Sequence, residues 1–161
     1  MRLCVTLTAC CLVFIWGNSL LPGEISGAIS DFFKRILQCL FEQGESEPSG
    51  LGFLVRKMAH FTEFTVLGLC LCWLFGMLGK GTLAPFLCGG LAACVDETIQ
   101  VFVPGRGPSV RDVCIDSCGV LLGVILLTLG HHYCKKRTLE ETCSTQKNGN
   151  GHHSKRMLRA G

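Results

Sequence analysis

The sequence predicts an all-α membrane protein, an integral four-helix bundle with an amphipathic surface helix between the first and second crossings. Three observations carry that expectation. Apolar residues make up 48% of the chain and charged residues only 17%, against roughly 25% charged in a typical soluble domain. The apolar residues fall in blocks at 3–21, 58–78, 82–103 and 110–129, each near the roughly 20 residues that cross a bilayer core. The charge that does intrude on the last three blocks sits at one end of each. The 161 residues leave room for a single membrane domain, 1–130, followed by a basic tail, 131–161.

The first block opens on Met1 and Arg2 and resembles a signal peptide, but it lacks a small-residue cleavage pattern. Leu7-Thr8-Ala9-Cys10 mimics a lipoprotein box with too few apolar residues before the cysteine, so the block is expected to stay as an uncleaved first crossing. Pro22-Gly23 then breaks the chain. In 24–41, Ile25, Ile29, Phe32, Phe33, Ile36, Leu37, Leu40 and Phe41 recur at helical spacing among Asp31, Lys34, Arg35 and Gln38. Such a helix is too amphipathic to span; it either lies along the membrane surface or packs on the bundle. Residues 42–52, with three Glu, Pro48 and three Gly, read as a loop.

Gly79-Lys80-Gly81 joins the second and third crossings, and a turn around Pro104-Gly105-Arg106-Gly107-Pro108 joins the third and fourth. Connections this short make neighbours antiparallel. Beyond Gly130 the chain carries two His pairs, Lys135-Lys136-Arg137 and Asn148-Gly149-Asn150-Gly151, a composition expected to be disordered. Residues 131–161 hold seven Lys/Arg against two Glu. That bias indicates a side of the membrane, not a nucleic-acid partner. With Arg2 and Lys80 it places both termini in the cytoplasm and 22–57 and 104–111 outside, although Arg56, Lys57, Arg106 and Arg111 then lie on the less favoured side.

Ten of the twelve cysteines lie in or beside the apolar blocks, where they serve as small apolar side chains. No structural disulfide network is expected. No paired CxxC or CxxC with HxxxH spacing occurs, the histidine pairs of the tail read as solvated, and neither a metal nor a cofactor is expected.

The uncharged runs are 64–79, 81–95 and 117–130, only 14 to 16 residues each. To cross, the helices must take in His60 and Glu63, then Asp96, Glu97 and Gln100, then Asp112 and Asp116. Alternating helix directions put all three polar ends in one leaflet. Residues three and four apart share a helix face, so Arg56, His60 and Glu63 form one stripe and Asp96 and Gln100 another, with Glu97 on its flank. Asp112 and Asp116 stand above Gly119 and Gly123, a small-xxx-small seam suited to close helix contact. A charge at membrane depth costs about 2.5–3.5 kcal/mol on insertion scales, so these groups must face one another or a water-filled pocket.

Arg56-Lys57-x-x-His60-x-x-Glu63-Phe64, Asp96-Glu97-x-x-Gln100-x-Phe102-x-Pro104-Gly105-Arg106 and Arg111-Asp112-x-x-x-Asp116-x-x-Gly119 together resemble the VanZ-like family of bacterial membrane proteins, in this order and at these spacings. The resemblance covers 56–123, with a weaker match at Asn18-Ser19-Leu20-x-Pro22-Gly23-Glu24. Phe64 stands where many relatives have Tyr, and Asp116 where many have Asn. The resemblance implies a multi-pass protein of the bacterial plasma membrane and a link to low-level teicoplanin resistance, a phenotype with no reaction attached.

The polar ring Arg56, Lys57, His60, Glu63, Asp96, Glu97, Gln100, Arg106, Arg111, Asp112 and Asp116 admits three readings. It can bind an anionic lipid or lipid-linked envelope intermediate at the outer leaflet, Arg106 and Arg111 gripping phosphate. It can be an intramembrane active site, with catalytic candidates His60, Glu63, Glu97 and Asp112. Or it can be a structural clamp in which Arg56, His60, Arg106 and Arg111 neutralise the carboxylates. A proton pathway is disfavoured because 64–79 and 81–95 offer no ionisable stepping stones.

Overall fold

The computed structural model of the chain describes the backbone of residues 1–41 and 51–157, and the side chains of 1–33, 35–36, 52, 54–138 and 140. Over these residues the protein is all-α, with no strand: α1 Arg2–Ser19, α2 Gly23–Phe41, α3 Leu51–Met77, α4 Leu83–Val101 and α5 Val110–Met157. The chain divides into two compact units, Met1–Leu127 and Thr128–Gly161. The first holds every residue of the polar ring.

Each boundary has a local cause. Pro22 ends the α1 corner, and the Ser26 amide donates to the Pro22 carbonyl to open α2. α3 closes on a Schellman motif: Gly79 takes φ +66°, its amide donates to Gly76 O at 3.1 Å, and the Lys80 amide reaches Phe75 O at 2.9 Å. Pro85 sits in the first turn of α4, where no intrahelical donor is lost. α4 ends at Val101 with Phe102 as its cap, and the turn beyond holds Gly105 at φ +75°. The Asp112 amide then bonds Ser109 O at 2.9 Å to start α5.

Three helical stretches are long and apolar enough to cross a membrane: Arg2–Ser19, Leu54–Met77 and Val110–Thr138. Four crossings were expected; α4 falls below that threshold because Asp96, Glu97 and Gln100 occupy its last turns. No more than 28% of any of the three apolar windows is buried inside the protein. Val13, Phe14, Trp73, Leu121 and Ile125 all face outward, an apolar surface that hydrocarbon can solvate and water cannot.

The core of the first unit is narrow, made of Ile15 from α1, Phe64, Leu67 and Leu71 from α3, Ala92 and Ala93 from α4, and Val120 and Val124 from α5. Gly119 and Gly123, the glycines expected to allow a close helix contact, meet α3. A Cβ on Gly119 would lie 2.5 Å from Phe61 O, and one on Gly123 would overlap Thr65 O. Gly68 and Gly89 in turn make room for Val120. Small residues therefore let the backbones meet, the usual source of helix affinity where lipid removes the hydrophobic drive.

Residues of the 24–41 segment are helical, as α2. Its serines point inward, Ser26 and Ser30 being buried, while Ile25, Ile29, Phe32, Phe33 and Ile36 are exposed. Leu37, Leu40 and Phe41 lie outside the described side chains, and the expected loop lies outside the described residues over 42–50, its 51–52 belonging to α3. α5 runs as a helix to Met157. No proline follows Pro108, and Lys136 and Glu140 pair at i,i+4. All ten described cysteines are free thiols.

Candidate functional site

The C-terminal end of α4, the first half of α3 and the N-terminus of α5 converge with the 104–109 turn on a polar pocket of about 310 Å³. Its lining includes Arg56, Lys57, His60, Glu97, Gln100, Arg106, Arg111, Asp112 and Asp116. These are nine of the eleven ring residues. Asp96 is wholly buried beside Gln100, and Glu63 opens on a second, mostly apolar groove with Cys11, Phe14, Phe33, Met58 and Val66.

Helical register explains the grouping. His60 comes one turn after Arg56 on α3, Gln100 one turn after Asp96 on α4, and Asp116 one turn after Asp112 on α5. The turn is pinned from outside: the Gly23 amide donates to Pro104 O at 3.1 Å, and a Cβ on Gly23 would lie 2.5 Å from Gly105 O. The Arg106 Nη2 group donates to Asn18 O at 3.4 Å. Both loop corners at this end of the bundle are thus fastened to each other.

The carboxylates are held in different ways. Asp96 Oδ2 accepts from Ser19 Oγ at 2.8 Å and from Gln100 Nε2 at 3.0 Å. Glu97 Oε2 accepts the Ser109 amide at 2.8 Å, a contact with the positive end of α5 that favours a negative charge. Glu63 Oε1 accepts from Asn18 Nδ2 at 3.0 Å. Asp112 makes an ion pair with Lys57. His60 Nδ1 and Glu63 Oε2 lie 4.0 Å apart, too far for a hydrogen bond.

Among the described residues, the ion pairs are Lys57–Asp112, His60–Glu63 and Lys136–Glu140, and no arginine of the polar ring takes part. Arg56 Nε and Arg106 Nε and Nη1 are buried without a hydrogen-bond partner. Burial, then the neighbouring Arg56 charge, lowers the Arg106 guanidinium from its ordinary value, while Asp96, Glu97 and Glu63 raise it; it stays charged at any working pH. Nor does His60 bond to Glu97 or Asp112, the orienting partners expected for catalysis.

Asn18, Ser19 and Ser109 belong to the site through these bonds but were not among the expected site residues. The polar pair Asn18-Ser19 at the end of an apolar run was the available signal. The chemistry the arrangement offers is a cationic wall in a small cavity that also holds fixed carboxylates, with buried unused donors on Arg56 and Arg106 and with Arg111 in the lining.

The model of the VanZ/LLP1 family matches residues 4–131. No curated protein and no solved structure shows a significant match. The chain belongs to the VanZ/LLP1 family.

Proposed function

We propose that this VanZ/LLP1 family member binds the phosphate of an anionic lipid or a lipid-linked envelope intermediate at the outer leaflet of a bacterial plasma membrane, and that glycopeptide sensitivity, including that to teicoplanin, follows from that binding. The observation that carries it is the set of buried arginine donors at the pocket, Arg56 Nε and Arg106 Nε and Nη1, with no acceptor inside the protein. A buried donor left unmade costs about 1–3 kcal/mol, more when charged. A phosphate entering the cavity would supply acceptors for several at once, in the forked geometry guanidinium groups favour.

In this reading α4 is the fourth crossing, its polar last turns shielded by α1, α3 and α5. Helix α2 lies in the interface, its exposed Ile25, Ile29, Phe32, Phe33 and Ile36 against lipid. The apolar groove of about 460 Å³ running past Phe33, Met58 and Val66 to Glu63 suits an acyl chain whose head group enters the polar pocket.

The test is native mass spectrometry of the full chain released from membranes, wild type against an Arg56→Ala, Arg106→Ala double variant. A phospholipid or lipid-linked precursor retained by wild type and lost from a folded variant supports the reading; equal retention sinks it. Arg106→Lys, which keeps charge but loses the fork, is expected to weaken lipid retention at least several-fold, whereas Lys57→Arg keeps its ion pair to Asp112 and should change it little.

A further inference from the structure

The geometry points to a divalent metal site formed by His60, Asp96 and Asp116, one ligand from each of α3, α4 and α5, at the floor of the polar pocket. One ligand atom from each residue lies within 4.8 Å of the other two, and all three residues are buried. Their relative exposures are 7%, 0% and 2%, so water does not dilute the charge of the two carboxylates. The inference is independent of whether the pocket takes a lipid.

Proximity alone would not carry it; the bonding pattern does. Asp96 directs Oδ2 to two donors, Ser19 and Gln100, yet its Oδ1 is buried with no partner. A ligating carboxylate shows this division, one oxygen oriented by outer hydrogen bonds and the other left for the ion. His60 Nδ1 is likewise buried without a hydrogen bond. Asp116 lines the pocket and forms no ion pair among the described residues. Two buried carboxylates this close repel strongly unless one is protonated or a cation lies between them. Among the described residues no lysine or arginine forms an ion pair with either carboxylate, Lys57 being paired with Asp112.

One imidazole nitrogen and two carboxylate oxygens suit Zn²⁺ or Mn²⁺ among the abundant divalent ions. Bonds of about 2.0–2.2 Å put ligand atoms roughly 3–4 Å apart, a closure within the reach of side-chain torsions. Three protein ligands leave positions open, and the pocket lined by His60 and Asp116 is where water or an anion would complete the shell. The spacing rules for zinc motifs miss such a site because its ligands are 36 and 20 residues apart along the chain.

The test uses the full chain in detergent or nanodiscs, purified without a histidine tag and with His131, His132, His152 and His153 changed to Ala so that the tail cannot bind metal. After chelator treatment and reloading with Zn²⁺ or Mn²⁺, elemental analysis should find about one ion per chain. His60→Gln and Asp116→Asn should each lower affinity at least tenfold, and the metal-induced rise in Tm should vanish with it. Asp116→Asn removes no ion pair among the described residues, so it reports even if His60→Gln does not fold. A folded parent that takes up no ion at saturating Zn²⁺ and Mn²⁺, or variants that bind as tightly as the parent, would overturn the site.

Discussion

At the residue scale, the energetics of the site turn on Ser19. It is wholly buried, and its hydroxyl donates to Asp96 at 2.8 Å while standing 3.5 Å from Gln100 Nε2. Ser19→Ala leaves Asp96 Oδ2 with one donor in place of two, inside a medium where no water replaces it. The expected loss is about 1–2 kcal/mol, measured as unfolding free energy in detergent. Thr6→Ala is the control: its hydroxyl is exposed and bonds only the Arg2 carbonyl of its own helix, so a change under about 0.5 kcal/mol is expected. If the two variants prove equally stable, the Ser19–Asp96 bond is not a fixed part of the site. The ring carboxylates were legible in the sequence because charge inside an apolar block is conspicuous. Ser19 was not, because its partner lies 77 residues away and a serine at a helix end has many ordinary uses.

At the element scale, two kinds of helical glycine make opposite predictions. Gly76 has nothing within 4 Å of an added Cβ, whereas at Gly123 that Cβ would meet Thr65 O and the Leu69 amide. Gly76→Ala is therefore expected to be neutral or to gain up to about 1 kcal/mol from helix propensity. Gly123→Ala must push α5 off α3 and is expected to lose about 1–3 kcal/mol. Thermal unfolding in one detergent, side by side, reads the sign; a stabilising Gly123→Ala would refute the close approach of these helices. Half of this seam was visible beforehand, as Gly119 and Gly123 one turn apart beneath Asp112 and Asp116. The other half was not: nothing in the α3 sequence distinguishes Gly68, which receives Val120, from Gly76, which receives nothing. Periodicity likewise marked α2 as amphipathic but left open which face meets the bundle. In the structure Ser26 and Ser30 are buried, while the charged Glu24, Asp31 and Arg35 stay exposed beside the apolar residues.

At the scale of the whole molecule, the fold places four basic residues, Arg56, Lys57, Arg106 and Arg111, around one pocket. Loop bias would ordinarily draw such a cluster to the cytoplasm. Lys80 on the α3–α4 hairpin and Lys135, Lys136 and Arg137 after the last apolar run compete for the same side. The pocket cations are partly cancelled locally, since Lys57 is paired with Asp112 and Asp96, Glu97 and Glu63 act on Arg106. Lys80 has no such partner among the described residues, and residues 131–161 hold seven Lys/Arg against two Glu. The hairpin and tail should therefore win, leaving the pocket at the outer face. Alkaline phosphatase fused after Gly107 is expected to be active and the same enzyme fused after Lys80 inactive, with green fluorescent protein fusions giving the reverse pattern. Activity at both positions would mean that α4 does not cross. Inverted activity would put the pocket in the cytoplasm, where an anionic head group could still bind but an outer-leaflet envelope intermediate could not.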